Sequence, residues 1–395
     1  MAEIESSSTR VLVIGAGPAG LLTAQALQMR GAHVKVYEQD ASLDARPRDW
    51  NFGIYWAQVP LRECLPEHLA SEVENAQVDD HKAGQHETMP IFNGKTGELL
   101  KAVPIPYNIR LARKRFLKLI SQGIDIHWSK KLQQVSSDGK LATATFEDGS
   151  SATANLLIGA EGAHSHVRDF LCGPEKASLD MSPLVASACM AKLPKEAALK
   201  FKEKAHRLMV LFHPLGYFNW IGIHDAYAPS GPGDWTFMMI MSWIPSDANY
   251  TPTSLQGSAN ILADLKRRAA DFSDDIKFLW QSIPEDTQCW HNRLSSWTPE
   301  PWDNRNGTVT LAGDAAHPMT FHRGQGLNNA ILDVGLLAKQ VGEHGVTAKA
   351  VNAYESEMIH RARDAVIGSN ENSMSVHDWD KLLQSPLFTT GLKQK

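Results

Sequence analysis

The chain is predicted to be an α/β protein: a βαβ unit opens it, a mostly antiparallel β-sheet is inserted in its middle, and helices close it. Three glycine-bearing segments, far apart among its 395 residues, carry that prediction: GAGPAG (Gly15 to Gly20), GAEGAHSHVR (Gly159 to Arg168) and GDAAHPMTFHRGQGLNNA (Gly313 to Ala330). Each directly follows a short apolar run, as a turn at the end of a buried strand does.

Arg10 to Ile14 (RVLVI) is the first such run. Ala19, Leu22, Ala26 and Met29 then recur at spacings of three and four, which places them on one face of a helix that Gly31 stops. His33 to Glu38 (HVKVYE) alternates as a second strand. In this unit Gly15 allows the tight turn, Gly17 admits a pyrophosphate against bare backbone, and Gly20 lets helix and strand pack closely. Glu38, near the end of the second strand, is placed to accept hydrogen bonds from ribose hydroxyls and would repel the extra phosphate of NADP. The bound nucleotide is then FAD or NAD.

Further along, RLARKRFLKL (Arg110 to Leu119) has the pattern of a basic amphipathic helix. Residues 180 to 298 change character: MVLFHPLGYFNWIGIH and WTFMMIMSWIP are rich in aromatic, β-branched and sulfur-containing side chains, with Pro-Leu-Gly as a turn between two strands. They predict an antiparallel sheet. Thr308 to Ala312 reads as a strand, Leu327 to Val341 as the helix opened by Gly324, Gln325 and Gly326, and Thr347 to Ala365 as a terminal helix.

On these three segments the chain resembles the class A FAD-dependent monooxygenases, the para-hydroxybenzoate hydroxylase family, and especially its fungal secondary-metabolism members, over residues 10 to about 365. The resemblance implies a Rossmann-type, glutathione-reductase-like FAD-binding domain made of residues 1–75, 100–180 and 299–365. It also implies a substrate-binding sheet domain of residues 76–99 and 181–298, and a helical tail of residues 366–395. FAD contacts are expected from Gly15, Gly17, Ala19, Gly20, Glu38 and Gln39, and from Arg113 at the phosphates, with Arg110 the second choice. Asp314 matches the residue that binds the ribityl chain, while Gly324, Gly326, Leu327 and Asn328 bring a helix N-terminus to the pyrimidine edge of the flavin. Unpaired N–H groups there stabilise the negative charge of reduced flavin.

The middle segment matches the family at Gly162, Ser165, Val167 and Arg168, but Glu161 replaces the usual Asp and extends the carboxylate by one methylene. Phe321 and His322 stand where the family has Pro and then Phe or Tyr, so Phe321 is expected to reshape the oxygen pocket. His322 is either a proton donor or a packed imidazole. Arg46 and Arg48 lie where relatives place a mobile loop that contacts FAD or guides NADPH. For the substrate, Trp56, His213, Phe218, Trp220, Phe237 and Met239 are candidate wall residues, and strand alternation lets only half of the sheet residues face one side.

Several classes are disfavoured. No second GxGxxG unit appears, so NADPH or NADH is expected to dock transiently. Cys64, Cys172, Cys189 and Cys289 form no CxxC pair, against a thiol relay and against a metal site. The tryptophan-rich signature of flavin halogenases is missing, with Ile240 and Ser242 at its two Trp positions. A net charge of −5 gives no support to nucleic-acid binding. The polar start and the lack of any long apolar stretch predict a soluble, cytoplasmic protein without integral membrane association, with an oligomer left open. The expected activity is hydroxylation or epoxidation of an apolar aromatic or polycyclic small molecule with dioxygen, through a flavin hydroperoxide. Baeyer–Villiger insertion, a flavin dehydrogenase or reductase, and a redox-silent isomerase or cyclase are the alternatives.

Overall fold

The computed structural model describes residues 9–247 and 250–392. The polar N-terminal stretch, residues 1–8, and the last three residues of the tail lie outside the described residues.

A five-stranded parallel sheet forms the first layer, in the order Val309–Leu311, Leu156–Gly159, Arg10–Ile14, His33–Tyr37, Asp125–His127. Val11, Leu12, Val13 and Ile14 are all buried, which is why this strand reads as a continuous apolar run. Three of the five strands end at the three glycine segments, so register alone brings those remote segments to one edge: Ile14 pairs with Gly159, and Gly159 with Leu311. The first helix, Pro18–Gln28, starts with Pro at its first turn and packs on the 19-residue helix Gly326–His344.

The second layer is a seven-stranded sheet, antiparallel except where Leu208–His213 runs parallel to Thr88–Asn93. Pro-Leu-Gly does turn the chain between Leu208–His213 and Tyr217–Asp225. One face of this sheet is backed by helices Lys195–Lys204, Ser258–Ala269 and Asp274–Gln281, which the strand-rich reading of 180–298 did not anticipate. The other face packs on Val376, Leu382, Leu387 and Phe388 from the C-terminal tail.

Three expectations are corrected. The amphipathic segment from Arg110 is not helical throughout: Ile109–Ala112 is a strand paired with Asn51–Ile54, and the helix begins at Arg113. Sheet pairing overrides helical periodicity there because all four strand residues are buried. The boundary expected between residues 99 and 100 falls inside Leu99–Pro104, a strand of the large sheet. The terminal helix does not stop near Ala365 but runs Ala348–Val376, capped by the Thr347 hydroxyl, which accepts from Ala350 N. Its last turns carry Ser369, Asn372 and Ser373 inward, a polar face that hides it from a search for apolar periodicity.

Candidate active site

One cavity of about 880 Å³ extends from the first glycine loop to the seven-stranded sheet. At its first end Gly15 has φ +103°, and a Cβ there would lie 2.6 Å from Ala160 O. At Gly20 a Cβ would lie 2.0 Å from Gly15 O, whereas at Gly17 it would meet nothing within 4 Å. Close packing thus demands two of the glycines, and the third opens the loop toward the cavity. Glu38 accepts from Ala16 N at 2.7 Å and from Asp40 N at 2.9 Å, and keeps further lone pairs facing the cavity, which Ala19 and Gln39 also line.

Cations gather beside this end. Arg113 and Arg48 both lie over the Trp50 ring, at 4.7 and 5.1 Å, while Arg46 pairs with Asp40 at 2.5 Å. Burial lowers the pKa of both Arg48 and Arg113. The Nε of Arg113 has no hydrogen-bond partner among the described residues. Arg113, desolvated and with an orphaned donor, fits a diphosphate, and Arg48 is a second cation on the same indole.

Midway, the Asp314 carboxylate opens on the cavity yet is enclosed enough for desolvation to raise its pKa. Gly326 leaves it clear, since a Cβ there would stand 3.8 Å from Asp314 Oδ1. Gly326 and Leu327 begin the 19-residue helix with their backbone at the cavity, and Gly324, at φ +60°, supplies the left-handed turn before it. Glu161 uses its extra methylene to cap a helix: Oε1 accepts from Val167 N and Ser165 Oγ, both at 2.9 Å, while burial raises its pKa. Gly162 beside it, at φ +89°, faces open space. The residues along this cavity fit a long dinucleotide with an anionic middle.

Comparison with known proteins agrees with that geometry. A family model for an FAD binding domain matches residues 116–369, and one for an NAD(P)-binding Rossmann-like domain matches residues 13–57. The FAD-dependent monooxygenase cctM of Talaromyces islandicus is 53% identical over 391 residues, covering 98% of this chain and 97% of its own. The chain belongs to the class A FAD-dependent monooxygenases. The FAD-dependent monooxygenase phnB of Penicillium herquei is 34% identical, with 98% and 95% covered. In fold, the monooxygenase resembles HpxO of Klebsiella pneumoniae complexed with FAD and uric acid, at a TM-score of 0.75 and 20% identity over 97% of this chain and 92% of that one. It also resembles 2,6-dihydroxypyridine-3-hydroxylase from Arthrobacter nicotinovorans, at 0.77 and 16% over 94% and 93%. The monooxygenase is an oxidoreductase, and FAD is its cofactor.

At the far end the large sheet walls the cavity of the monooxygenase with Phe218, Trp220, Met238 and Ile240. Phe237 and Met239, expected there, point the other way, into the helix-backed core where Phe237 meets Phe201 at 5.1 Å. Register decides this: Trp220 pairs with Ile240 and Ile221 with Met239, so the even-numbered residues of both strands face the cavity. His213 is also outside the cavity, held at the hairpin end by Asp271 O and Leu215 N. Trp56 packs on the core of the parallel sheet, and its neighbour Tyr55 lines the cavity instead. Asn328 does not line the cavity: its side chain accepts from Tyr55 N at 2.9 Å and donates to Gly53 O at 2.8 Å, pinning the 51–56 segment to the helix.

Phe321 and His322 both border the cavity, stacked on each other at 4.3 Å. The two ring nitrogens of His322 are occupied, Nε2 by Ser242 Oγ at 3.0 Å and Nδ1 by Ser373 Oγ at 2.7 Å. Ser242 Oγ also bonds His377 Nε2 at 2.9 Å, and His377 Nδ1 donates to Ser373 O at 2.6 Å. Desolvation pushes His322 well below its ordinary pKa and His377 down to about 4, so both imidazoles are neutral. A neutral His377 that donates through Nδ1 must accept at Nε2. Ser242 therefore donates to His377 and accepts from His322 Nε2, and the single Ser373 hydroxyl proton is shared between His322 Nδ1 at 2.7 Å and Ser369 O at 2.8 Å. This arrangement assigns His322 to packing and hydrogen bonding, with no free proton for the cavity.

Several residues bordering the cavity were not expected there from sequence, among them Met238, Ile240, Trp290 and Arg323. The alternation of residues 236–243 carried the signal, with its parity unset. Asp333 was missed as well. It is wholly buried beneath the loop of Asp314 and binds Gly313 N, His317 and Arg361. Among the described residues, no group of three or more His, Cys, Asp or Glu is placed to hold a metal ion, and no helix is long and apolar enough to cross a membrane.

Proposed function

We propose that the monooxygenase hydroxylates or epoxidises an apolar aromatic or polycyclic small molecule, consuming dioxygen and NADPH or NADH, in fungal secondary metabolism. The observation that carries this reading is the continuity of one cavity from Gly17 and Glu38 to the apolar wall of Phe218, Trp220, Met238 and Ile240. Bound there, FAD would supply the electron transfer and the oxygen activation. Glu38 would hold the adenosine ribose, the Gly17 backbone and Arg113 the pyrophosphate, and Asp314 the ribityl chain. The amides at Gly326 and Leu327 would place a positive helix end where reduced flavin is negative. The aromatic wall would exclude water and orient the substrate. Arg46 and Arg48, on the loop at the cavity's rim, are the residues we assign to reductant docking.

The test uses purified, FAD-loaded protein with NADPH and candidate polycyclic phenols under isotope-labelled dioxygen, followed by product mass. One labelled oxygen atom in the product is the expected result. Turnover without label would replace the reading with a dehydrogenase, and turnover without NADPH with an isomerase.

A further inference from the structure

We propose that Arg110 is an oxyanion receptor in the substrate half of the cavity, so that the molecule bound there presents an ionised phenol, enolate or carboxylate oxygen to its guanidinium. This rests on the functional reading above and narrows its substrate to one with an acidic oxygen.

Arg110 lies on the strand Ile109–Ala112, is 3% exposed, and borders the cavity. Its guanidinium sits 4.4 Å from the centroid of the Trp220 ring, on the wall formed by the large sheet, a different ring from Trp50, over which Arg48 and Arg113 lie. Stacking on an indole fixes the position of a guanidinium and leaves its donors pointing outward. Those donors are poorly used. Nη1 reaches the Tyr55 hydroxyl only at 3.5 Å, and Nε has no partner among the described residues.

The local charge does not balance either. Asp79 is committed to Arg207, with contacts of 2.7 and 3.1 Å, and Arg207 takes a further bond to Gln77 Oε1. That leaves two buried cations and one anion in this corner. None of the sheet residues that border the cavity is a carboxylate. Burial lowers the pKa of Arg110, as expected of a charge taken from water without a counter-ion. A desolvated guanidinium with free donors in an otherwise apolar wall is what an oxyanion satisfies, by two charge-assisted hydrogen bonds. Held there, a phenol oxygen stays ionised at neutral pH and sends electron density into its ring, and the same contact fixes which ring carbon faces the flavin.

The test is binding alone, read as perturbation of flavin absorbance in the FAD-loaded enzyme at pH 8, without NADPH. The probes are naphthalene-2-carboxylate against naphthalene-2-carboxamide, and 4-nitro-1-naphtholate against its methyl ether, so that the two arms separate carboxylate from phenolate recognition. In wild type at least one anion binds about tenfold or more tightly than its neutral partner. In Arg110→Met that preference vanishes while neutral-probe affinity and FAD content stay as in wild type, and Arg110→Lys keeps part of it. The proposal is overturned if neither anion is preferred or neither binds, if the preference survives in Arg110→Met, or if both variants lose FAD, which would assign the residue to the cofactor. Should Arg110→Met fail to fold, the wild-type pairs and Arg110→Lys decide. Because no oxygen chemistry is read, failure here leaves the labelled-dioxygen result standing, and the reverse holds too.

Discussion

Asp333 and Arg361 bind each other at 2.8 Å, and the second oxygen of Asp333 accepts from Gly313 N at 2.9 Å and lies 2.6 Å from His317 Nε2. A carboxylate on the helix Gly326–His344 thereby ties the long C-terminal helix to the turn that carries Asp314. Desolvation would raise the pKa of Asp333, but the charges of His317 and Arg361 outweigh it and hold the carboxyl below its ordinary range.

Removing this partner leaves Arg361 with only the half-exposed Glu357 as counter-ion, at 2.9 Å, and takes the buried acceptor from Gly313 N and His317, so Asp333→Ala should cost about 3–5 kcal/mol of stability at pH 7 in urea unfolding. The pH sign follows from the depressed folded pKa. The contribution is present above the unfolded value of about 4 and is lost as pH falls below it, so wild type and variant converge in acid.

The glycines of the first loop should separate folding from cofactor binding. Gly20→Ala drives a Cβ against Gly15 O and should lower both thermal stability and FAD content. Gly17 sits in extended backbone, φ −76° and ψ 178°, with open space where its Cβ would go. Gly17→Val should therefore melt like wild type as apoprotein while its FAD dissociation constant rises by about tenfold or more. Equal losses of stability in the two variants would contradict the placement of the pyrophosphate at Gly17.

Strand parity separates the wall from the core. Phe237→Ala empties a packed site and should cost about 3–5 kcal/mol, with the substrate KM unchanged at a temperature where the variant is folded. Trp220→Ala, on the cavity side, should raise KM and weaken the naphthalene probes more than it destabilises the fold. Chemical denaturation and steady-state kinetics on the pair check both halves.

The buried imidazoles predict a second pH effect. His377 titrates at about 4 and His322 also well below the unfolded value of about 6.5, so between those limits the unfolded chain binds more protons than the folded one. Stability should rise with pH across that window and level off above it, by up to about 1.4 kcal/mol per pH unit for each imidazole. In the double variant His322→Gln, His377→Gln this part of the slope should disappear, as read by urea unfolding at several pH values from 4.5 to 7.5. A slope identical to wild type would refute the buried neutral pair.

Much of the cofactor end was legible beforehand because its chemistry is local. Gly15, Gly17 and Gly20 follow their strand directly, Glu38 ends the next one, and Gly326 opens its helix within the same segment as Asp314. The substrate end was half legible: Phe218 and Trp220 were placed on the wall, while Phe237 and Met239 were placed on the wrong face. A strand's composition reveals that it alternates, but which parity faces the cavity depends on its partner across the sheet. Arg110 was assigned to a helix because four residues cannot reveal that a distant strand, Asn51–Ile54, waits to pair with them.

By itself the amino-acid order determined that three glycine segments close three strand ends of one α/β sheet, since backbone turns, strand runs and helix starts are written in neighbouring residues. Only the tertiary structure decided what surrounds the rest of the cavity: the parity of the sheet wall, the Asp333 anchor, the neutral His322 and His377 pair, and the uncompensated Arg110. Burial and partner choice arise from contacts between segments that are not neighbours along the chain, and a charge becomes unpaired only once every neighbour has taken its place.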